Sequence, residues 1–209
     1  MITLLDSILF LLILTDFVLL GSSRLRTCIK MIAVQGVITG LLGVATSESM
    51  LSLGILTIAL KGFVFPYLLL RAMSASRTKR EVDPFLGYSA SLFAGILCII
   101  VAFWLDGRLH LPVSTVSKLM VPVAFSTIMI GLLLIIARKT AISQVLGYLA
   151  LENGIYIISV GIVQETPFLI ELGVLLDVFV GVFVMGIAIH RISREFDHID
   201  SDQLSTLRG

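Results

Sequence analysis

Charged residues, cysteines and histidines are all scarce in this sequence, and each shortage excludes a class of protein. Only 14% of the 209 residues are Asp, Glu, Lys or Arg, and the formal net charge is +1. The chain therefore lacks the concentrated basic surface that a nucleic-acid partner needs. Cys28, Cys98 and the three histidines do not cluster at the spacings of zinc or iron–sulfur sites. We expect no metal and no other cofactor in this chain.

Apolar residues dominate instead. They make up 57% of the chain, and a helix needs roughly 20 of them to cross about 30 Å of hydrocarbon. Stretches of suitable length and composition occupy 3–21, 28–46, 50–70, 85–105, 112–137, 142–163 and 167–190. The first of these has no basic n-region and no cleavage site, so we expect it to be retained. The sequence predicts an all-α integral membrane protein, a bundle of about seven transmembrane helices.

The distribution of basic residues predicts the orientation of the bundle. Twelve of the 15 Lys and Arg residues lie on one side of the predicted spans, and the other side has only Arg108. Because Lys and Arg near span ends are retained in the cytoplasm, we expect the N-terminus outside and the C-terminus in the cytoplasm. The polar segment 191–209 is then a cytoplasmic tail, and the chain is a multi-pass protein surrounded by lipid.

Three ionisable residues lie at mid-membrane depth: Lys61, Glu152 and Asp177. Each costs roughly 2.5–3.5 kcal/mol to insert there, so each should pair, face the bundle interior or exchange protons. One stripe of the sixth span carries Glu152 and three hydroxyl-bearing residues, at steps of four, four and three: Tyr148, Tyr156 and Ser159. Such a stripe can supply hydrogen bonds or hold water.

Further polar positions lie nearer the membrane surfaces. Asp16, Lys118 and Glu171 are secondary candidates, because interfacial water or snorkelling can satisfy such side chains. Lys61 and Lys118 each precede a proline by about one helical turn, which predicts a helix distortion beside each cation. The motif "GVITG" at 36–40 predicts a close helix contact.

From about residue 115 onward the chain resembles the K subunit of respiratory complex I, which is also found as the C subunit of multi-subunit cation/proton antiporters. The stretch "ARKTAISQVLGYLALENG" has the basic turn, glycine and asparagine of that family, and a carboxylate precedes a glycine by four residues in the last span. The matching positions are Arg138, Lys139, Gly147, Asn153, Asp177 and Gly181. The family usually places a glutamate two residues after the first glycine, where this chain has Leu149, and Glu152 follows three residues later.

The whole chain resembles component E of hydrogenase-4, a membrane subunit of formate hydrogenlyase and related group 4 nickel–iron hydrogenase complexes. The resemblance implies a location in the cell inner membrane. It implies as partners antiporter-like and anchor membrane subunits, and peripheral hydrogenase subunits that hold the nickel–iron and iron–sulfur centres. We expect a four-helix extension at 1–110, a K-subunit-like three-helix unit at 111–190 and the tail at 191–209.

The main hypothesis is a non-catalytic, proton-conducting subunit of such a complex. Glu152 and Asp177 would be the protonatable groups and Lys61 the cation that modulates them, with relay or water-holding hydroxyls at Tyr148, Tyr156 and Ser159. One alternative is a scaffold that holds antiporter-like subunits together without conducting protons. A less favoured alternative is an independent secondary transporter, because 1–105 and 112–190 show no convincing repeat.

Overall fold

A computed structural model describes residues 2–46, 51–75, 84–109 and 117–162, which are almost entirely helical. The helices are α1 Ile2–Gly21, α2 Leu25–Thr46, α3 Leu51–Thr57, a π-helical segment Ile58–Val64, α4 Phe65–Ala75, α5 Tyr88–Asp106, α6 Met120–Ala137 and α7 Ala141–Ile162. The α3 helix, the π segment and α4 follow one another without a break and form a single span. The predicted span 167–190 lies outside the described residues.

Among the described residues, five stretches are long and apolar enough to cross a membrane: Leu25–Ala45, Gly54–Ser74, Tyr88–Asp106, Met120–Ala137 and Ala141–Val160. The α1 helix has 20 residues, a similar length. Large apolar side chains lie exposed on the outer faces, among them Phe63 at 68% and Phe93 at 74%. In a membrane such faces contact lipid rather than water. The predicted all-α membrane fold is confirmed.

The helices alternate in direction, so the bundle has two distinct ends. At one end, which we call the basic end, α1, α4 and α6 finish and α2, α5 and α7 begin. In the part of the chain that the structure describes, five cations at this end are exposed: Arg24, Arg26, Lys30, Arg71 and Lys139. A buried apolar cluster fills the interior near each end, with Leu25 and Leu146 in the cluster at the basic end and Leu5 and Val160 in the other.

The α6 and α7 helices pack with their backbones in contact. A Cβ atom on Gly131 would lie 2.5 Å from the backbone nitrogen of Leu151, and one on Gly147 would lie 2.9 Å from the carbonyl oxygen of Gly131. Real Cβ atoms do not approach that closely, so these glycines permit the tight contact. The contact fixes the face that α7 presents to α2 and the π segment.

The π segment is the main irregularity among the described helices. Pro66 has no backbone N–H and its ring crowds the preceding turn, and the N–H of Phe65 bonds the carbonyl of Leu60, five residues earlier. Such i to i+5 bonding widens the helix and is frequent at functional sites. The predicted distortion beside Lys61 is confirmed, and Lys61 lies within the widened turn.

The predicted distortion beside Lys118 is wrong. The structure starts α6 at Met120 and places Lys118 in the preceding turn, where its side chain is exposed. Pro122 consequently falls in the first turn of a helix, where a missing N–H costs nothing and the fixed φ is favourable. The predicted span 112–137 therefore began too early, because residues 117–119 precede the helix.

The glycines of "GVITG" bring α2 against the π segment, as predicted. A Cβ on Gly36 would lie 2.5 Å from the Cβ of Lys61 and 2.8 Å from its carbonyl carbon. A Cβ on Gly40 would overlap the side chain of Ile58. The absence of side chains at these two positions therefore sets how closely Lys61 approaches α2.

Candidate functional site

The centre of the bundle contains a buried ion pair between Lys61 and Glu152. The Nζ atom of Lys61 lies 3.1 Å from Oε1 of Glu152, and the two side chains are only 4% and 5% exposed. Depth along the spans predicts that these residues lie at one level, and in the structure their long side chains meet between the π segment and α7. The second carboxylate oxygen, Oε2 of Glu152, is buried and has no hydrogen-bond partner among the described residues.

A chain of carboxamides leads from the same ammonium group to a second carboxylate. Lys61 Nζ donates to Oδ1 of Asn153 at 3.3 Å, and Nδ2 of Asn153 donates to Oε1 of Gln35 at 3.4 Å. Nε2 of Gln35 then donates to Oδ1 of Asp16 at 2.7 Å. Every donor in the chain points away from Lys61, so both amide dipoles are oriented with the cation at one end and the carboxylate at the other.

Asp16 is fully buried and is held from two sides. Its Oδ1 accepts from Gln35, and its Oδ2 accepts from the hydroxyl of Thr127 on α6 at 2.8 Å. The Nε2 of Gln35 also lies 3.0 Å from Oγ1 of Thr15. The prediction placed Asp16 near the membrane surface as a secondary candidate, whereas the structure makes it one of the two carboxylates of this network.

The network draws on five parts of the chain, namely α1, α2, the π segment, α6 and α7. We call it the central network and define it by its six hydrogen-bonded members: Asp16, Gln35, Lys61, Thr127, Glu152 and Asn153. Each of these residues is buried. Two carboxylates share one ammonium group in a region without other described ions, so the arrangement leaves a negative charge uncompensated unless an acid binds a proton.

Tyr156 extends the central network towards the other end of the bundle. Its ring centroid lies 5.8 Å from Lys61 Nζ, within the range of a cation–π contact. Its hydroxyl lies near Thr57 and is buried without a hydrogen-bond partner among the described residues. A Cβ on Gly43 would overlap that hydroxyl. Gly43 therefore leaves space on α2 for the phenol beside the cation.

The remaining predicted residues lie in different surroundings. Tyr148 is half-buried and packs against the apolar cluster of the basic end. Ser159 is buried and donates to the carbonyl of Ile155 in its own helix at 3.0 Å. Lys118 is exposed before α6. Asp177 and Glu171 lie outside the described residues, so their relay roles stay predictions.

Sequence reasoning missed Gln35 and Thr127 and treated Asn153 only as a family match. A signal for Gln35 was present, because an amide in an apolar span usually hydrogen-bonds across helices. Leu149, the position at which the related family usually has its glutamate, is buried in the apolar cluster of the basic end. The carboxylate of Glu152 instead faces Lys61. This contact gives a local reason why the carboxylate lies about one turn further along the helix than in the related family.

The sequence has known relatives over two different ranges. It is 31% identical over 203 residues to the uncharacterized protein Rv0085 of Mycobacterium tuberculosis, covering 94% of this chain and 92% of that protein. It is 29% identical over 119 residues to hydrogenase-4 component E of Escherichia coli K12, and equally to that of Shigella flexneri, covering 57% of this chain. That match spans about half of component E, 55% of its length.

A family model, NADH-ubiquinone/plastoquinone oxidoreductase chain 4L, matches residues 119–209. No solved structure matches the chain. The resemblances to the complex I K subunit and to component E are thus confirmed, the second over 119 residues rather than the whole chain. The chain belongs to the same family as Rv0085, is related to hydrogenase-4 component E, and carries a unit of the chain 4L type from residue 119 onward.

Proposed function

We propose that this chain is a non-catalytic membrane subunit of an energy-converting hydrogenase or another complex I-like assembly. In this proposal its buried carboxylates contribute to proton translocation, while partner subunits carry the redox chemistry and the nickel–iron and iron–sulfur centres. Antiporter-like and anchor subunits in the cell inner membrane would be its neighbours. The relationship to a hydrogenase component and to an oxidoreductase chain supports this assignment.

The observation that carries the proposal is the Lys61–Glu152 ion pair. A buried ion pair is weak evidence for a purely stabilising role, because apolar residues of similar volume often stabilise as well or better. Ionisable residues inside a membrane mark ion or proton pathways by default. The pair also joins the span of residues 51–75 to the chain 4L unit, so both parts of the molecule contribute to one site.

We assign roles from the geometry. Glu152 has one oxygen on Lys61 and one buried oxygen without a described partner, so it is suited to gain and lose a proton. Lys61 holds Glu152 directly and Asp16 through the two amides, so its position responds to the charge of both acids. Tyr156 and Thr57 supply hydroxyls on the far side of the cation. Asp177, in the last predicted span, is proposed as a further protonatable group.

The test measures proton translocation and hydrogen evolution together in the assembled complex in membrane vesicles. Glu152→Gln and Asp177→Asn remove a titratable group while retaining shape, so we expect fewer protons moved per hydrogen evolved. The ratio is measured per assembled complex, because Glu152→Gln leaves Lys61 without its carboxylate. Asp6→Asn is the matched control, because its carboxylate accepts from Ser117 near the opposite end of the bundle, outside the central network. We expect wild-type coupling in this control.

Two results would contradict the relay. If Glu152→Gln and Asp177→Asn leave the coupling ratio unchanged, singly and together, the carboxylates do not conduct. If these neutral variants lower the subunit content while the complex that does assemble keeps the wild-type coupling ratio, the scaffold function is the better account. Proton uptake by liposomes that contain this chain alone would favour an independent transporter over either.

A further inference from the structure

Arg138 is a second buried cation, and the central network does not use it. The residue is 3% exposed and lies directly after α6. Its Nη2 donates to the carbonyl of Leu20 at the end of α1, and its guanidinium carbon lies 4.5 Å from the ring centroid of Tyr88. Neither partner is charged, and Nη1 is buried without a hydrogen-bond partner among the described residues. A buried charge of this kind calls for an anion.

The guanidinium lines a small pocket at the basic end of the bundle. The other polar lining residues are Ser22, Cys28 and Ser143, and four leucines complete the wall. Cys28 lies in the first turn of α2 and Ser143 in the first turn of α7. Two helix N-termini, whose dipoles favour negative charge, therefore meet beside an arginine whose Nη1 has no described hydrogen-bond partner.

The surroundings of the pocket favour an anion from the membrane. The exposed cations lie at the same end of the bundle as the pocket, and within 2–46, 51–75, 84–109 and 117–162 no Asp or Glu side chain lies at this end. Clustered Lys and Arg at a membrane surface attract anionic headgroups. The pocket has room for only an atom or two of a ligand. A phospholipid would therefore insert one or two phosphate oxygens and leave its acyl chains outside.

We propose that this pocket, which we call the Arg138 pocket, binds the phosphate of an anionic phospholipid from the membrane leaflet at the basic end. Nη1 of Arg138 donates to a phosphate oxygen, and the hydroxyls of Ser22 and Ser143 lie within the same pocket. A bound lipid would tie together the ends of α1 and α6 and the starts of α2 and α7. This site is independent of the proposed proton function.

The experiment uses the full-length chain, purified in mild detergent with the subunits that accompany it and then stripped of lipid. Phosphatidylglycerol, a galactolipid without phosphate and inorganic phosphate are titrated separately, while thermal unfolding and the lipid retained per chain by native mass spectrometry are measured. We expect phosphatidylglycerol alone to raise the unfolding temperature and one molecule to be retained. Arg138→Gln should require at least about tenfold more phosphatidylglycerol, the usual consequence of losing a charge-assisted hydrogen bond.

Two further variants make the result decisive. Lys139→Gln removes the neighbouring exposed cation and should keep the wild-type response, whereas Cys28→Leu fills the pocket while retaining Arg138 and should lose the bound lipid. An unchanged response in Arg138→Gln, or in Cys28→Leu if Arg138→Gln does not fold, overturns the proposal. An equal response to the galactolipid or to inorganic phosphate overturns it as well. Loss of a partner chain in Arg138→Gln without any lipid effect would assign the pocket to a partner's carboxylate instead.

Discussion

Replacing Lys61 by methionine should be among the most destabilising single changes in the described bundle. Its Nζ lies 3.1 Å from Glu152 Oε1, and Coulomb's law at an effective dielectric constant of about 20 gives roughly 5 kcal/mol for two unit charges at that separation. Measured losses for breaking one side of a buried pair are about 3–5 kcal/mol. For a chain of this size such a loss corresponds to a fall in unfolding temperature of roughly 6–20 °C.

The assay is thermal unfolding of the purified chain in detergent, followed by loss of helical circular dichroism. Lys118→Met is the matched control, because Lys118 is exposed in a turn, and it should change the free energy of unfolding by less than about 0.5 kcal/mol. The double variant Lys61→Met with Glu152→Leu should recover most of the loss, since it removes both buried charges. A cost below about 1 kcal/mol for Lys61→Met, or no recovery in the double variant, would refute the buried ion pair.

Two other predictions concern the helix contacts around the central network and use the same unfolding assay. Gln35→Leu removes a 2.7 Å hydrogen bond from buried Asp16 and should cost about 1–3 kcal/mol, whereas Gln144→Leu, at an exposed position of α7, should cost less. Equal costs would contradict the role of the amide chain. Gly36→Ala forces a Cβ into the backbone of the π segment and should cost about 1–3 kcal/mol, whereas Gly87→Ala meets open space and should cost under about 1 kcal/mol. Similar values for the two alanine variants would contradict the close contact.

The membrane fold was predictable because a spanning helix depends on one property, the length of an apolar stretch. The level of Lys61 and Glu152 was predictable for the same reason, since depth follows from position within a span. The start of α6 was not predictable, because positions 112–119 mix apolar residues with Ser, Thr and Lys, so hydropathy alone does not locate the boundary. Only the structure shows that residues 117–119 form a turn.

Which residues form the central network was harder to predict than the depth at which they lie. A single sequence gives the face of each helix but not the helix that this face meets. Asp16 was predicted to lie near the membrane surface. The packing of α2 and α6 on α1 instead lets Gln35 and Thr127 donate hydrogen bonds to its two carboxylate oxygens. Asn153 looked like a family marker, and its contacts with Lys61 and Gln35 depend on α7 facing both α2 and the π segment.

The two amides between Lys61 and Asp16 restrict the routes that a proton can take between the two acids. A carboxamide donates and accepts hydrogen bonds but is not a titratable group, so the Gln35–Asn153 link does not hand a proton from one acid to the other. Its aligned dipoles still transmit the field of each charge. In the proposed proton function, Asp16 and Glu152 would therefore exchange protons by separate routes, while the charge on each would still influence the other through the amide dipoles.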